Sequence, residues 1–193
     1  VLELRALRFS LIGMPGGGKS TVGRHLARRL GVDFVDTDVE LERRLGYPIR
    51  TFFEREGEER FRDVESSVLH ELLQSTHGVI ATGGGIVLSE ANRDVLRAQS
   101  VCVYLRSTPE ELFRRLRHDS KRPLLQVADP LARLRELYAQ RDPLYRQAAQ
   151  FVIETGRPSV PTLINMILMQ LELAGMIDPA NVPSPIDAHD PLH

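Results

Sequence analysis

The segment that most constrains this chain is Gly13-Met14-Pro15-Gly16-Gly17-Gly18-Lys19-Ser20-Thr21, which satisfies the phosphate-binding pattern G-x-x-x-x-G-K-[ST]. An apolar run (Leu7, Phe9, Leu11, Ile12) leads in as a candidate strand. Val22, Leu26 and Leu30 follow at helical spacing, and Gly31 stands where that helix should end. In such a strand–loop–helix context, glycines let backbone N–H groups converge on phosphate oxygens at a helix N-terminus, whose dipole favours negative charge. Lys19 adds a compact cation for the β- and γ-phosphates, and Ser20 a hydroxyl for Mg²⁺. Pro15 offers no N–H and is expected on the outside of the curl. The segment predicts a nucleoside triphosphate site built from Gly16, Gly17, Gly18, Lys19, Ser20 and Thr21.

Composition supports the loop and narrows the partners. Of the 25 basic residues only Lys19 and Lys121 are lysine. A chain that otherwise uses arginine keeps lysine in the loop, where a small ammonium fits and a planar guanidinium would not. A net charge of −1 over 193 residues gives no global attraction to nucleic acid or an anionic membrane, and neither is expected as a partner. No apolar run approaches the roughly 18 residues of a membrane span, and no signal peptide opens the chain, although Val1 is not expected to be the natural start. Cys102 is the only cysteine; inside an apolar run it reads as a buried thiol, which suits a reducing cytoplasm. The six histidines lack metal-ligand spacing.

Short apolar runs alternate with helical patterns, the signature of a parallel α/β sheet. Strands are expected at 7–12, 33–36, 78–82, 101–105 and 151–154. Helices are expected at about 19–30, 38–45, 49–55, 58–75, 89–98, 109–117, 130–149 and 159–173. Residues 1–175 read as a single domain and 176–193 as a flexible, Pro-punctuated tail. Two segments break the alternation: charged short helices over 37–65 and a basic stretch over 117–128. Such insertions suit an acceptor site and a mobile lid.

Four constellations could carry chemistry, each with a plainer reading beside it. Asp36 and Asp38 close the second strand; they could serve a metal and a hydroxyl proton, or only turn the chain and cap a helix. Arg62 and Glu65 share a helix face and could form a solvated ion pair, or Arg62 could offer its fork to a carboxylate. Gly83-Gly84-Gly85 follows the third strand where many phosphate-loop enzymes carry an aspartate. It reads either as a loose loop or as backbone passing close to a ligand, which moves the metal-side carboxylate to Asp36. Arg122 and Arg141, in Arg122-Pro123-Leu124-Leu125 and Arg141-Asp142-Pro143-Leu144-Tyr145, could each be a surface residue.

In their order and spacing, the phosphate loop, Asp36-x-Asp38, Glu58-x-x-Phe61-Arg62-x-x-Glu65, the glycine triplet, Arg122-Pro-Leu-Leu and Arg141-x-Pro-x-Tyr145 resemble the shikimate kinases over about residues 9–170. The resemblance implies a three-layer α/β/α P-loop fold with a five-stranded parallel sheet, shared with nucleoside monophosphate kinases, plus acceptor-binding (37–65) and lid (117–128) insertions. It implies phosphoryl transfer from ATP to shikimate with Mg²⁺ held by Ser20 and Asp36. Asp38 would engage the acceptor hydroxyl, Arg62 and Arg141 clamp the substrate carboxylate, and the Gly83–Gly85 backbone line the same pocket. Lys19 and Arg122 would reach the phosphates, and Arg115 and Pro158 would flank adenine. A cytoplasmic monomer is expected. The competing readings are a gluconate kinase-like enzyme, disfavoured by the two clamp arginines, and a nucleotide-binding module without turnover.

Overall fold

The computed structural model describes residues 7–117 and 127–184 of the chain. Five short strands, β1 (Phe9–Ile12), β2 (Asp33–Asp36), β3 (Gly78–Ala81), β4 (Val101–Arg106) and β5 (Phe151–Glu154), pair in parallel in the order β2-β3-β1-β4-β5. The register places Phe9 beside Val79 and Val101, and Asp36 beside Ala81. Among the described residues the helices are α1 (Lys19–Leu30), α2 (Thr37–Leu45), α3 (Ile49–Glu56), α4 (Glu58–Ser75), α5 (Glu90–Gln99), α6 (Pro109–Leu116), α7 (Pro130–Ala148) and α8 (Val160–Leu173).

Side-chain alternation along the strands feeds two cores, one on each face of the sheet. Phe9, Leu11, Val79, Val103 and Leu105 pack against α1 and α8 through Leu26, Leu30, Ile167 and Leu171. Ile12, Ile80, Cys102 and Tyr104 pack the other way, against Leu41, Leu69, Leu73, Leu96, Leu134 and Tyr145 of α2, α4, α5 and α7. Covering both faces is why the central strands read as continuous apolar runs rather than alternating ones. The edge strand β5 buries only Ile153 fully.

Local chemistry sets the helix ends. Thr108 and Glu111 form a reciprocal capping box with Pro109 at the first position of α6. Asp36 caps α2, so that helix begins at Thr37, one residue earlier than its periodicity suggests. Gly57, at φ 84°, makes the sharp junction between α3 and α4 that an L-residue would resist. Pro143 lies inside α7, where its missing N–H leaves a carbonyl one turn back without the usual donor.

The tail differs from expectation over its first part. Residues 176–184 fold back toward the C-terminal end of α1: Ile177 is buried with Leu30 and Leu171, Met176 and Val182 pack beside it, and Asp178 caps a turn of 3₁₀ helix at Pro179–Asn181. Burying one isoleucine contributes about 1.5–3 kcal/mol toward the ordering cost of this segment. Polar, Pro-rich composition concealed this because only three apolar residues do the packing. Residues 185–193, also assigned to the tail, lie outside the described residues, as does most of the lid segment (118–126) with Arg122.

Candidate active site

The phosphate loop leaves the C-terminal end of β1, the central strand, and runs directly into α1. Gly16 and Gly18 take φ of 80° and 83°, and Gly18 is the α1 N-cap. That N-terminus has no side-chain cap and no acidic residue in its first turn, so its N–H groups and dipole face the cleft uncompensated. Lys19 curls back along the loop and donates from Nζ to the carbonyls of Gly13 (2.8 Å) and Met14 (3.0 Å). The loop is thus shaped by its own lysine around the place a phosphate would occupy.

Asp36 serves both roles left open by its position. Its Oδ1 accepts from the N–H groups of Asp38 (2.9 Å) and Val39 (3.2 Å), capping α2. Its Oδ2 accepts from the Ser20 hydroxyl. Two hard oxygen donors, one from the loop and one from the end of β2, therefore meet at the cleft floor. This donor set fits Mg²⁺. No cluster of three His, Cys, Asp or Glu suited to a metal exists among the described residues, so a cation here would draw its other ligands from phosphate and water. β3 carries no aspartate; Thr82 follows it, and its hydroxyl donates to the Leu11 carbonyl.

Asp38, on the first turn of α2, faces the same cleft. Burial pushes its carboxyl above the ordinary aspartate value, the Asp36 charge adds to the rise, and Lys19 opposes it. Pro15–Thr21, Asp36, Asp38, Thr82, Gly83 and Gly84 enclose about 310 Å³. A more open groove of about 450 Å³ on the outer face of α4, beside Arg44 and Arg60, holds none of the candidate residues, and Arg44 there is already paired with Glu40 and Glu71.

The acceptor side assembles around the glycine triplet. A Cβ on Gly83 would sit 2.9 Å from Asp38 Oδ1 and 3.1 Å from Glu65 Oε2, and a Cβ on Gly85 would sit 2.2 Å from Arg62 Nη1. Three charged side chains, Asp38, Glu65 and Arg62, thus lie against the backbone of Gly83 and Gly85, where the missing Cβ leaves them room. On Gly84 the same atom would strike the Pro15 ring at 2.6 Å, so the triplet abuts the phosphate loop. Thr37 accepts from the Gly83 N–H (3.1 Å). The triplet is therefore a fixed surface, not a loose loop.

Arg62 is held from several sides. It donates to Glu65 (3.0 Å) and Glu58 (3.5 Å), and its guanidinium lies over the rings of Phe61 (5.3 Å) and Phe53 (5.9 Å). Its buried Nε has no acceptor among the described residues. The solvated-pair reading fails because Glu65 is 2% exposed. Burial raises the Glu65 pKa, against the pull of Arg62, while Asp38 raises it further and Arg141 lowers it. Arg141, on α7, also acts on Tyr145, so the two arginines converge on one region from different helices.

Arg115 lies at the ends of β4 and β5, donating to Ser107 Oγ (3.4 Å) and the Thr155 carbonyl (3.0 Å). Pro158 lies in the loop that follows β5, half-buried. Sequence reasoning passed over Glu65, Thr37 and Tyr145 as parts of the site. Glu65 and Tyr145 close two of the motifs that carry the resemblance, and that was the available signal; for Thr37 there was none.

Comparisons with known proteins point to one family. A family model described as Shikimate kinase matches residues 15–172. A shikimate kinase of Paracidovorax citrulli is 56% identical over 177 residues, covering 90% of this chain and 97% of the relative. The structure of shikimate kinase from Acinetobacter baumannii in complex with shikimate superposes with a TM-score of 0.84 at 43% identity, covering 91% of this chain and 98% of that one. A gluconokinase from Sinorhizobium meliloti, at 15% identity and a TM-score of 0.54, shares the fold alone. By family match, by identity across nearly its whole length and by its fold, the chain belongs to the shikimate kinase family.

Proposed function

We infer that this chain transfers the γ-phosphoryl group of ATP to the 3-hydroxyl of shikimate, giving 3-phosphoshikimate and ADP on the route to chorismate and the aromatic amino acids. One observation carries the reading: Arg62 lies against Gly85 and Asp38 against Gly83, Gly84 abuts the phosphate loop through Pro15, and Arg141 sits beside Tyr145, whose hydroxyl bonds the Gly84 carbonyl. Planar arginine forks suit a carboxylate, and the nearby aspartate suits a hydroxyl about to be phosphorylated.

In this scheme the Gly16–Gly18 backbone, Lys19 and Thr21 hold the phosphates, and Arg122 reaches the transferring group. Ser20 and Asp36 hold Mg²⁺, which when bound offsets the phosphate charge. Asp38 orients the acceptor hydroxyl and takes its proton; its raised pKa makes it a better base than an exposed aspartate. Glu65 keeps Arg62 aimed, and the buried Arg62 Nε has no acceptor among the described residues. Arg115 and Pro158 flank the adenine. Every described residue in this scheme comes from one chain, so a monomer suffices. Buried Cys102, its thiol pushed up to about 12, accords with a reducing cytoplasm.

The test is ADP release with ATP·Mg²⁺ and a panel of shikimate, gluconate and a nucleoside monophosphate. Release with shikimate alone is expected. Equal release with gluconate would mean the arginine pair does not select the acceptor, and release with none would leave only nucleotide binding.

A further inference from the structure

Tyr145 is fully buried on α7, one turn after Arg141. Its hydroxyl donates to the Gly84 carbonyl at 2.6 Å, a contact spanning 61 residues of sequence. The Arg141 guanidinium lies beside the same hydroxyl and favours its ionised form, yet burial keeps the phenol pushed up to about 12, so at neutral pH it remains a donor. Its ring lies 4.9 Å from that of Tyr104, whose hydroxyl turns the other way, to Asp142 at 2.8 Å.

A trans peptide unit points its C=O and N–H in opposite directions. Pinning the Gly84 carbonyl to α7 therefore turns the Gly85 N–H away from α7. Among the described residues that N–H finds no acceptor, and Gly85 lines a cavity of about 160 Å³ with Arg62 and Glu65. One phenol thus touches the backbone of the triplet and stands beside the second arginine of the clamp.

We propose that Tyr145 is a positioning residue for the acceptor: its hydroxyl locks the Gly84–Gly85 peptide and Arg141 into one register, so that both meet the substrate together. The proposal rests on the reading of Arg141 and the triplet as the acceptor site. Glycines have the least intrinsic rigidity of any residues, so a surface made of three of them needs an external tie.

The test is Tyr145→Phe, which keeps the ring and its stack and removes only the hydroxyl, with Tyr104→Phe as comparator. KM for shikimate, KM for ATP and melting temperature are measured on all three proteins. Tyr145→Phe should raise the shikimate KM about tenfold, the effect of one good hydrogen bond, with the ATP KM within about twofold. Tyr104→Phe should lower the melting temperature at least as much while leaving both KM values within about twofold. An unchanged shikimate KM in Tyr145→Phe, an equal rise in both KM values, or the same KM shift from Tyr104→Phe would overturn the proposal. A wild-type protein that releases ADP with shikimate while Tyr145→Phe keeps its KM refutes the positioning role alone. No release by wild type refutes the function and this role with it.

Discussion

The two halves of the cleft are built on opposite principles. The donor half is one contiguous loop and the first turn of the helix it enters, and its phosphate-facing groups are mostly backbone N–H. The proposed acceptor half gathers Asp38, Arg62, Glu65, the glycine triplet, Arg141 and Tyr145 from α2, α4, the segment after β3 and α7. A backbone-made site survives most side-chain changes and is the same for any triphosphate. A site made of side chains from four segments depends on tertiary packing at every contact, and in the proposed scheme it is where selectivity between acceptors would reside.

This contrast breaks most sharply at Asp38. Asp38→Asn keeps the shape and removes the proton affinity, and kcat should fall about 10²–10⁴-fold, the range for general-base assistance. ATP affinity measured by calorimetry should stay nearly unchanged, and a mutant with wild-type turnover would remove Asp38 from the chemistry. Next in size, Arg62→Lys keeps the charge and loses the fork, and also leaves buried Glu65 with a poorer partner. Shikimate affinity should fall about 10–100-fold, as expected for charge-assisted hydrogen bonds, with ATP affinity intact. A loss confined to nucleotide would mean the halves are misassigned.

The seam between the halves offers a finer test. Gly85→Ala pushes a methyl against the movable end of Arg62, and at φ −92° the backbone tolerates alanine. The shikimate KM alone should rise, by about tenfold. Gly84→Ala instead meets the Pro15 ring and, at 3.0 Å, its backbone nitrogen, so the phosphate loop must move and both KM values should rise. If both variants behave alike, the seam does not separate the halves.

The smallest effect is on pH dependence. Asp38 and Glu65 both have pKa values raised mainly by burial. Between the ordinary carboxylate values and the raised ones, the folded state binds more protons than the unfolded state, so stability rises as pH falls through that window. Turnover moves the other way, because protonated Asp38 cannot act as a base. Acid titration should therefore show kcat falling where Asp38 and Glu65 add to stability, and Asp38→Asn should remove part of that gain in urea unfolding measured against pH.

Legibility in the sequence followed the same division. The donor half could be read because its signal is local: Gly18 and Lys19 sit side by side in the chain and in space. Strand and helix bounds were mostly correct within a residue or two for the same reason, as Thr108-Pro109 with Glu111 illustrates. Of the acceptor half, spacing alone suggested that Arg62 and Glu65 pair, but not that Glu65 is buried, since burial depends on what β3 and α2 bring against α4. The bond from Tyr145 to Gly84 spans 61 residues and leaves no periodic trace. The packed stretch 176–184 stayed hidden because Ile177, Met176 and Val182 are too few to form a pattern.

The bonds from Lys19 to the Gly13 and Met14 carbonyls bear on how a catalytic cycle ends. In the proposed scheme, when a diphosphate departs, the ammonium has the Gly13 and Met14 carbonyls of its own loop within hydrogen-bond reach. Those bonds offset part of the loss of the phosphate contacts and lower the cost of release. Because both carbonyls belong to the loop itself, the lysine braces its curl without a partner from elsewhere in the fold.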